Sequence, residues 1–296
     1  MNTVEEIFES GKAEELSIDP FDVEEWAANK KAEREQAYSL IAAMAKSVAT
    51  HGDKLKSYLD VQSRFNKYSV GNALLITSQM PNATRLADYK TWKDAGVHVK
   101  KGETGIVVLE PGKEYTRADG STGVSYNSKR VFDISQTDSE KHPGSVEKYD
   151  MRFLIKMLIN DAPCRLLIDG QDKVPEDKRA FYDSETKTIF ARSDEDPDLI
   201  FKDIARELAL AHLDREKQDV LDRDLIADCT AYMLCKRFNL SLEWFDYDPL
   251  PENFRTADDK EVRKQLGIMR DTANTILSDM QRGMEKQKEA AERDER

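Results

Sequence analysis

Three cysteines, four histidines and three tryptophans among 296 residues leave little material for several common chemistries. Cys164, Cys229 and Cys235 show no C-x-x-C spacing and lie in apolar contexts. That argues against a disulfide framework or a cysteine zinc cage, and the three read as buried small hydrophobes in a reducing compartment. No apolar run approaches the roughly 18 residues of a membrane span. The opening residues, MNTVEEIFESGKAEELS, are acidic where a secretory leader would be basic and then apolar, so the expected location is cytoplasmic, with no membrane partner. Nowhere do two histidines stand four residues apart, so the H-E-x-x-H of zinc peptidases is missing as well.

Charge and length are present in quantity. The chain is 39% hydrophobic and 34% charged, which suits a helix-rich globular protein of about two domains. A net charge of -12 argues against nucleic acid on its face, but the charge is unevenly placed. Between Lys54 and Arg130 thirteen bases stand against seven acids, a local +6 that leaves -18 for the remainder. A basic module in an acidic chain fits a local polyanion footprint, because phosphate contacts depend on the nearby field rather than the total.

Apolar periodicity predicts helices over Val23–Ala49, Lys54–Phe65 and Gly71–Ser78. From Arg85 to Phe132 the texture turns to short β-type runs, with a strand at Gly105–Pro111 stopped by the proline and a hairpin tip at Arg117–Gly123. The polar stretch Ser135–Ser145 marks a domain boundary. Beyond it come a helix over Val146–Asn160, a strand from Arg165, a hairpin over Ala180–Ala191, and helices over Leu199–His212 and Asp222–Phe238. From Asp258 onward Val262, Leu266, Met269, Ala273, Ile276, Met280 and Met284 form a coiled-coil-type stripe. It suits either packing back on the same chain or a homodimer zipper. The charged end, Glu285–Arg296, is expected to fray.

Residues 201 to 212, FKDIARELALAH, carry the sharpest chemical question. The frame of a zinc-peptidase helix is present as Arg206-Glu207-Leu208-Ala209-Leu210, with the glutamate in place and both histidine positions lost. Zinc needs about three neutral imidazole or anionic ligands. A guanidinium repels a dication, and Leu210 offers it nothing. His212 lies two residues past the second ligand position, about 200° further around the helix, and cannot simply substitute. Without a metal-bound water Glu207 is a general base with nothing to act on. Asp203, Glu207 and Asp214 fall near one face, either as ligands for a hard cation or as an acidic solvated stripe.

The segment Tyr68-Ser-Val-Gly-Asn72-Ala-Leu-Leu-Ile-Thr-Ser-Gln79, with Ala83-Thr84, Trp92, Gly96-Val-His-Val-Lys-Lys-Gly-Glu-Thr-Gly-Ile106, Pro111 and Val131-Phe-Asp-Ile-Ser-Gln136, resembles the N-terminal domain of the ArdC antirestriction family. In that family the module binds single-stranded DNA, and a zincin-like, ImmA/IrrE-like metallopeptidase domain follows it. Downstream, Asp224-Leu-Ile-Ala-Asp228-Cys-Thr-Ala-Tyr232 is similar to the family's helix bearing the acidic metal ligand. The resemblance covers roughly residues 50 to 245.

What it implies is an α+β protein: N-terminal helices with a small antiparallel sheet, then a helix-rich zincin-like domain with a short sheet, then a long C-terminal helix. The expected division is 1–140 for the single-stranded-DNA-binding domain, 141–255 for the degenerate peptidase domain and 256–296 for the amphipathic helix. Single strands need a basic groove and aromatic faces for stacking. Tyr68, Asn72, Arg85, Lys90, Trp92, Lys93, Lys100 and Lys101 are the candidates, with a core role for Trp92 weighed equally and structural roles favoured for Tyr68 and Asn72. The degenerate metal site comprises Arg206, Glu207, Leu210, Asp224 and Asp228, with the guanidinium occupying the old metal position against the carboxylates. No cofactor is expected, zinc included, and no catalytic residue beyond the remnant Glu207. The implied role is non-catalytic protection of incoming mobile-element or phage DNA. The alternatives are an acidic inhibitor that captures a host defence protein, and a peptidase with an atypical site built from Glu207, His212 and Asp224 or Asp228.

Overall fold

The structure, a computed structural model, describes residues 23–117, 119–139, 149–168, 171–192 and 196–294. It opens with three helices, α1 (Val23–Thr50), α2 (Gly52–Arg64) and α3 (Val70–Gln79). On α1 the buried positions Ala37, Ile41, Ala45 and Val48 recur every three or four residues, which turns one stripe of a charged helix inward. α3 starts where the Ser69 hydroxyl accepts the Asn72 N–H. Strand β1 (Leu86–Ala87) and the six-residue helix α4 (Tyr89–Asp94), capped by Asp88, lead into the long hairpin of β2 (Ile106–Thr116) and β3 (Thr122–Asp133). These strands form an antiparallel sheet in the order β1-β3-β2.

Pro111 does not end its strand. β2 continues to Thr116, with a register shift between Pro111 and Glu114 that absorbs the irregularity. The reason is where the free edge faces. On that edge of β2 the Leu109 N–H and C=O are bonded by Asn72 Oδ1 and Nδ2, both at 2.8 Å. The Val107 N–H and C=O are bonded by Gln79 Oε1 and Nε2 at 2.9 and 3.0 Å. Pro111, two residues further and on the same edge by strand alternation, has no N–H to leave unpaired. Two carboxamides on α3 thus stand in for a neighbouring strand, and the proline completes the protection of an edge open to aggregation.

The second half holds α5 (Met151–Leu158), the sheet β4-β6-β5 built from Arg165–Ile168, Thr188–Ala191 and Ala180–Asp183, and the helices α6 (Pro197–Glu216), α7 (Arg223–Arg237), α8 (Glu252–Arg255) and α9 (Asp259–Asp294). β4 runs parallel to β6 and β5 antiparallel to it. α5 begins at Met151; the expected start at Val146 lies outside the described residues, as does much of the Ser135–Ser145 boundary.

Two hydrophobic cores result. The first joins α1, α2, α3, β2 and β3 to Leu213 of α6, Leu225 and Tyr232 of α7, and Val262, Leu266, Met269 and Ala273 of α9. The second gathers Leu154 and Leu158, Ile189, Phe201 and Ile204, Leu234, and Ile276 and Met280. The first core therefore draws on side chains from both sides of residue 140. The stripe on α9 is covered within the chain and runs through both cores, so a zipper through it would have to open them. The helix also continues to Asp294 where fraying was expected from Glu285.

Asn72→Ala leaves both buried backbone groups of Leu109 without partners, at roughly 1 to 3 kcal/mol for each unsatisfied group. Chemical denaturation of that variant should show a loss of about 2 kcal/mol or more, and a change under about 0.5 kcal/mol would remove the edge-clip account.

Candidate functional site

The basic residues of the first half cluster around α4 and the loop that follows it. Lys90, Lys93, Lys100 and Lys101 are all exposed, and so is Arg85. Lys100 is partly tethered, its Nζ donating to the Ser135 carbonyl at 3.1 Å. Arg85 is held by its backbone: its N–H donates to Asp133 Oδ2 at 2.8 Å, and its carbonyl accepts the Ile134 N–H at 3.0 Å. Its guanidinium carbon lies 5.3 Å from the centre of the Trp92 ring, in cation–π range.

Two of the expected base contacts are corrected by burial. Trp92 is only 2% exposed and its Nε1–H donates to the Phe132 carbonyl at 2.9 Å, so it anchors α4 to β3 and offers no free face to a base. Asn72 is buried, with its amide committed to Leu109. Tyr68 is half-buried and packs edge-to-face on Phe65 at 5.8 Å, and burial pushes its hydroxyl pKa up against the opposing pull of Lys129. The aromatic residue that sequence reasoning missed is Tyr89, 57% exposed on the first turn of α4. Its signal was a tyrosine directly after a capping aspartate and directly before Lys90.

In the second half Arg206 turns inward from α6. Its Nη1 donates to Glu207 Oε1 at 2.8 Å, its Nε to Asp228 Oδ1 at 2.8 Å, and its Nη2 pairs with Asp224. Asp222 caps α7, accepting the Leu225 N–H at 2.8 Å, and the first turns of that helix bring Asp224 and Asp228 one turn apart onto the guanidinium. The second oxygen of Asp228 accepts the Tyr247 hydroxyl. Glu207 Oε2 accepts the backbone N–H of Tyr182 on β5 at 2.9 Å. Arg206 is 19% exposed at its side chain and Glu207 4%, whereas Asp224 lies on the rim.

Burial works to lower the Arg206 pKa, but the charges of Asp228, Glu207 and Asp224 outweigh it and the net shift is upward. Burial, then the charge of Asp228, raises the Tyr247 hydroxyl. Both donors stay protonated at any ordinary pH.

The cluster floors an open cleft of about 360 Å³, walled by Arg179, Lys202, Asp203 and Trp244. Lys202 Nζ lies 2.6 Å from Asp203 and 5.0 Å from the centre of the Trp244 ring. The donor set does not fit a dication, because the carboxylates that would ligate it already hold a guanidinium between them. Among the described residues no group of three or more His, Cys, Asp or Glu could hold a metal ion.

The remaining candidates are dispersed. Leu210 packs at the edge of the first core. Asp203 pairs with Arg179 and Lys202, and Asp214 with Arg223, so the three carboxylates Asp203, Glu207 and Asp214 form no joint site. His212 is buried; its Nδ1 accepts from Arg215 Nη2 at 3.1 Å and its Nε2 has no hydrogen-bond partner. It does not line the Arg206 cleft, so it is not brought to the carboxylates there.

Burial, reinforced by the charge of Arg215, lowers the His212 pKa from its ordinary 6.5 to about 4. The unfolded chain takes up this proton near pH 6.5 and the folded chain near pH 4, so folding expels it between those values. Stability should fall as pH falls through that window, by up to about 3 kcal/mol, and be unaffected by this group above it. Urea unfolding of wild type and His212→Leu at pH 4.5 and 7.5 checks this: the variant should lose much of the difference between the two pH values, and an unchanged difference would place the proton elsewhere.

Residues 30–155 match the family described as the N-terminal domain of anti-restriction factor ArdC. An uncharacterized protein of Bacillus anthracis is 27% identical over 288 aligned positions, covering 77% of this chain and 49% of the relative, so the chain spans about half the length of that protein. Crystal structures of the antirestriction ArdC protein from the R388 plasmid, metal-free and Mn(II)-bound, are 16% and 17% identical, each with a TM-score of 0.49. They cover 73% and 72% of this chain and 86% and 85% of their own.

Proposed function

We propose that this chain, whose residues 30–155 match the N-terminal domain of anti-restriction factor ArdC, is an ArdC-like antirestriction protein that works by binding single-stranded DNA and not by hydrolysis. The observation that carries the non-catalytic half is Arg206, ringed by Glu207, Asp224 and Asp228 where the zinc-peptidase frame has its first histidine. A glutamate whose two oxygens already accept from a guanidinium and a backbone amide is committed to structure and not set up as a general base. The second half is then a pseudo-metallopeptidase scaffold with no metal and no cofactor. The proposed division is 1–140 for the DNA-binding domain, 141–255 for the scaffold and 256–296 for the closing helix.

The DNA-binding half is supported by the local charge of +6 between Lys54 and Arg130 and by the exposure of Arg85, Lys90, Lys93, Lys100 and Lys101 on one short stretch. A strand bound there would be held mainly through its phosphates, and the protein would shield incoming plasmid or phage DNA in the cytoplasm of a host. A second reading rests on the -18 carried by the rest of the chain, which could imitate DNA toward a basic host defence protein.

Fluorescence anisotropy of a labelled single-stranded oligonucleotide at two salt concentrations separates the readings. The first expects binding that weakens as salt rises, and further weakening in Lys100→Glu/Lys101→Glu, because each lost phosphate contact also reduces the salt slope. No binding at low salt would reject it and leave the acidic surface as the functional one.

A further inference from the structure

Single-strand binding by charge alone grips the phosphates and leaves the bases unread, whereas sequence-tolerant single-strand proteins also stack bases on exposed π faces or guanidinium planes. Trp92 was the natural candidate for that face, and it is buried. What lies around it is the more telling arrangement. Tyr89 stands three residues before Trp92 on α4, so the two share one helical face. Tyr89 is 57% exposed, the most exposed of the large apolar and aromatic side chains among the described residues. Arg85 covers the Trp92 ring, its guanidinium carbon 5.3 Å from the centroid.

We propose that Tyr89 and Arg85 form the base-stacking platform of this domain and that Trp92 acts beneath them as a positioning residue. The inference rests on the single-strand reading above and names the side chains that would touch the bases.

The platform is held in place from several sides. The Trp92 Nε1–H is fixed to the Phe132 carbonyl, which sets the plane of the indole. Arg85 lies over that ring and is itself exposed, so its planar cation is accessible from solvent. The Arg85 backbone is locked by Asp133, which also accepts the Thr84 N–H at 2.7 Å, so neither the start of β1 nor the arginine has to be ordered by the ligand. Asp88 accepts the Thr91 N–H at 2.7 Å and pairs with Lys129 at 2.8 Å, which neutralises the carboxylate next to Tyr89 in the chain and fixes the turn that presents it. Lys90 and Lys93 are exposed on the same helix and available to the phosphates of a strand stacked on Tyr89.

Tyr115, exposed and also beside an arginine, is less free than Tyr89. The Tyr115 ring is pressed on Gly123, where a Cβ would come within 2.7 Å of it, and Arg117 lies 6.0 Å from its centroid.

The test pairs a protein change with a nucleic-acid change. Anisotropy titrations compare wild type, Tyr89→Ala, Tyr89→Phe and Arg85→Ala, each with an oligonucleotide of normal bases and one of the same length carrying several abasic sites. Tyr89→Ala should weaken binding to the normal strand by about 5- to 150-fold while leaving the salt slope near that of wild type, because a stacked base releases no counterion. Tyr89→Phe should bind like wild type. Abasic sites should cost wild type a similar factor and cost Tyr89→Ala much less, since the ring they would lose is already gone. Tyr89 and Arg85 are both exposed, so folding is not at stake in these variants.

If wild type binds and Lys100→Glu/Lys101→Glu weakens it, but Tyr89→Ala and Arg85→Ala bind normal and abasic strands as wild type does, the platform is refuted while the single-strand reading stands. If wild type itself binds no single strand, both fall together.

Discussion

A guanidinium four-fifths removed from water cannot stand there without counter-charge, because isolated burial of an ion costs far more than a domain's net stability. Arg206 meets that constraint with three carboxylates, and each in turn is fixed by something else. Glu207 is tied to the backbone of β5, and Asp228 to the Tyr247 hydroxyl. Removing one partner of such a group strands the others, which is why the cluster behaves as a unit and why α6, α7, β5 and the Tyr247 segment are held in one arrangement. A divalent ion at the same place would impose a similar arrangement through ligand bonds. The arginine supplies positive charge without the Lewis acidity of a metal.

α7 carries this constraint into the first core. Asp224 and Asp228 hold Arg206, and the next two residues at the same spacing of four, Tyr232 and Lys236, both reach Asp60 on α2, at 2.8 and 2.7 Å. One face of a single helix therefore binds the scaffold cleft and the three-helix region that supports the basic surface. α9 does the same with apolar contacts, its stripe passing from the first core to the second. The surface carrying Arg85, Tyr89 and the lysines is thus supported by a frame that extends across most of the described chain, and the scaffold half contributes to that frame whether or not it binds anything itself.

How far this was legible in the sequence depends on the range of the forces involved. The helices were visible because their apolar stripes are local periodicities, and the α9 stripe was read almost residue by residue. The likeness of the first half to ArdC was readable from turn and strand residues at fixed spacings. Which side of a six-residue helix faces the core was not, since Trp92 is turned inward by a carbonyl 40 residues away. Pro111 reads locally as a stop, and only the amide clips from Asn72 and Gln79 reveal that its missing N–H lies on an edge needing no strand partner. Within the cleft, Arg206 opposite Asp224 and Asp228 could be anticipated from complementary charge. Tyr247 carried no such signal, because an aromatic between two aspartates late in the chain gives no hint of which carboxylate it will meet.

The central claim is that Arg206 occupies the position a metal would need. It is tested most directly by calorimetric titration of Zn(II) and Mn(II) into the full chain, prepared without a histidine tag, beside Arg206→Ala. With wild type the account expects no stoichiometric binding at micromolar metal. Arg206→Ala should gain affinity relative to wild type, since removing the guanidinium leaves Glu207, Asp224 and Asp228 without their shared cation. One equivalent of tightly held metal on wild type, lost in Glu207→Gln/Asp228→Asn, would contradict the account and return the cleft to metal chemistry.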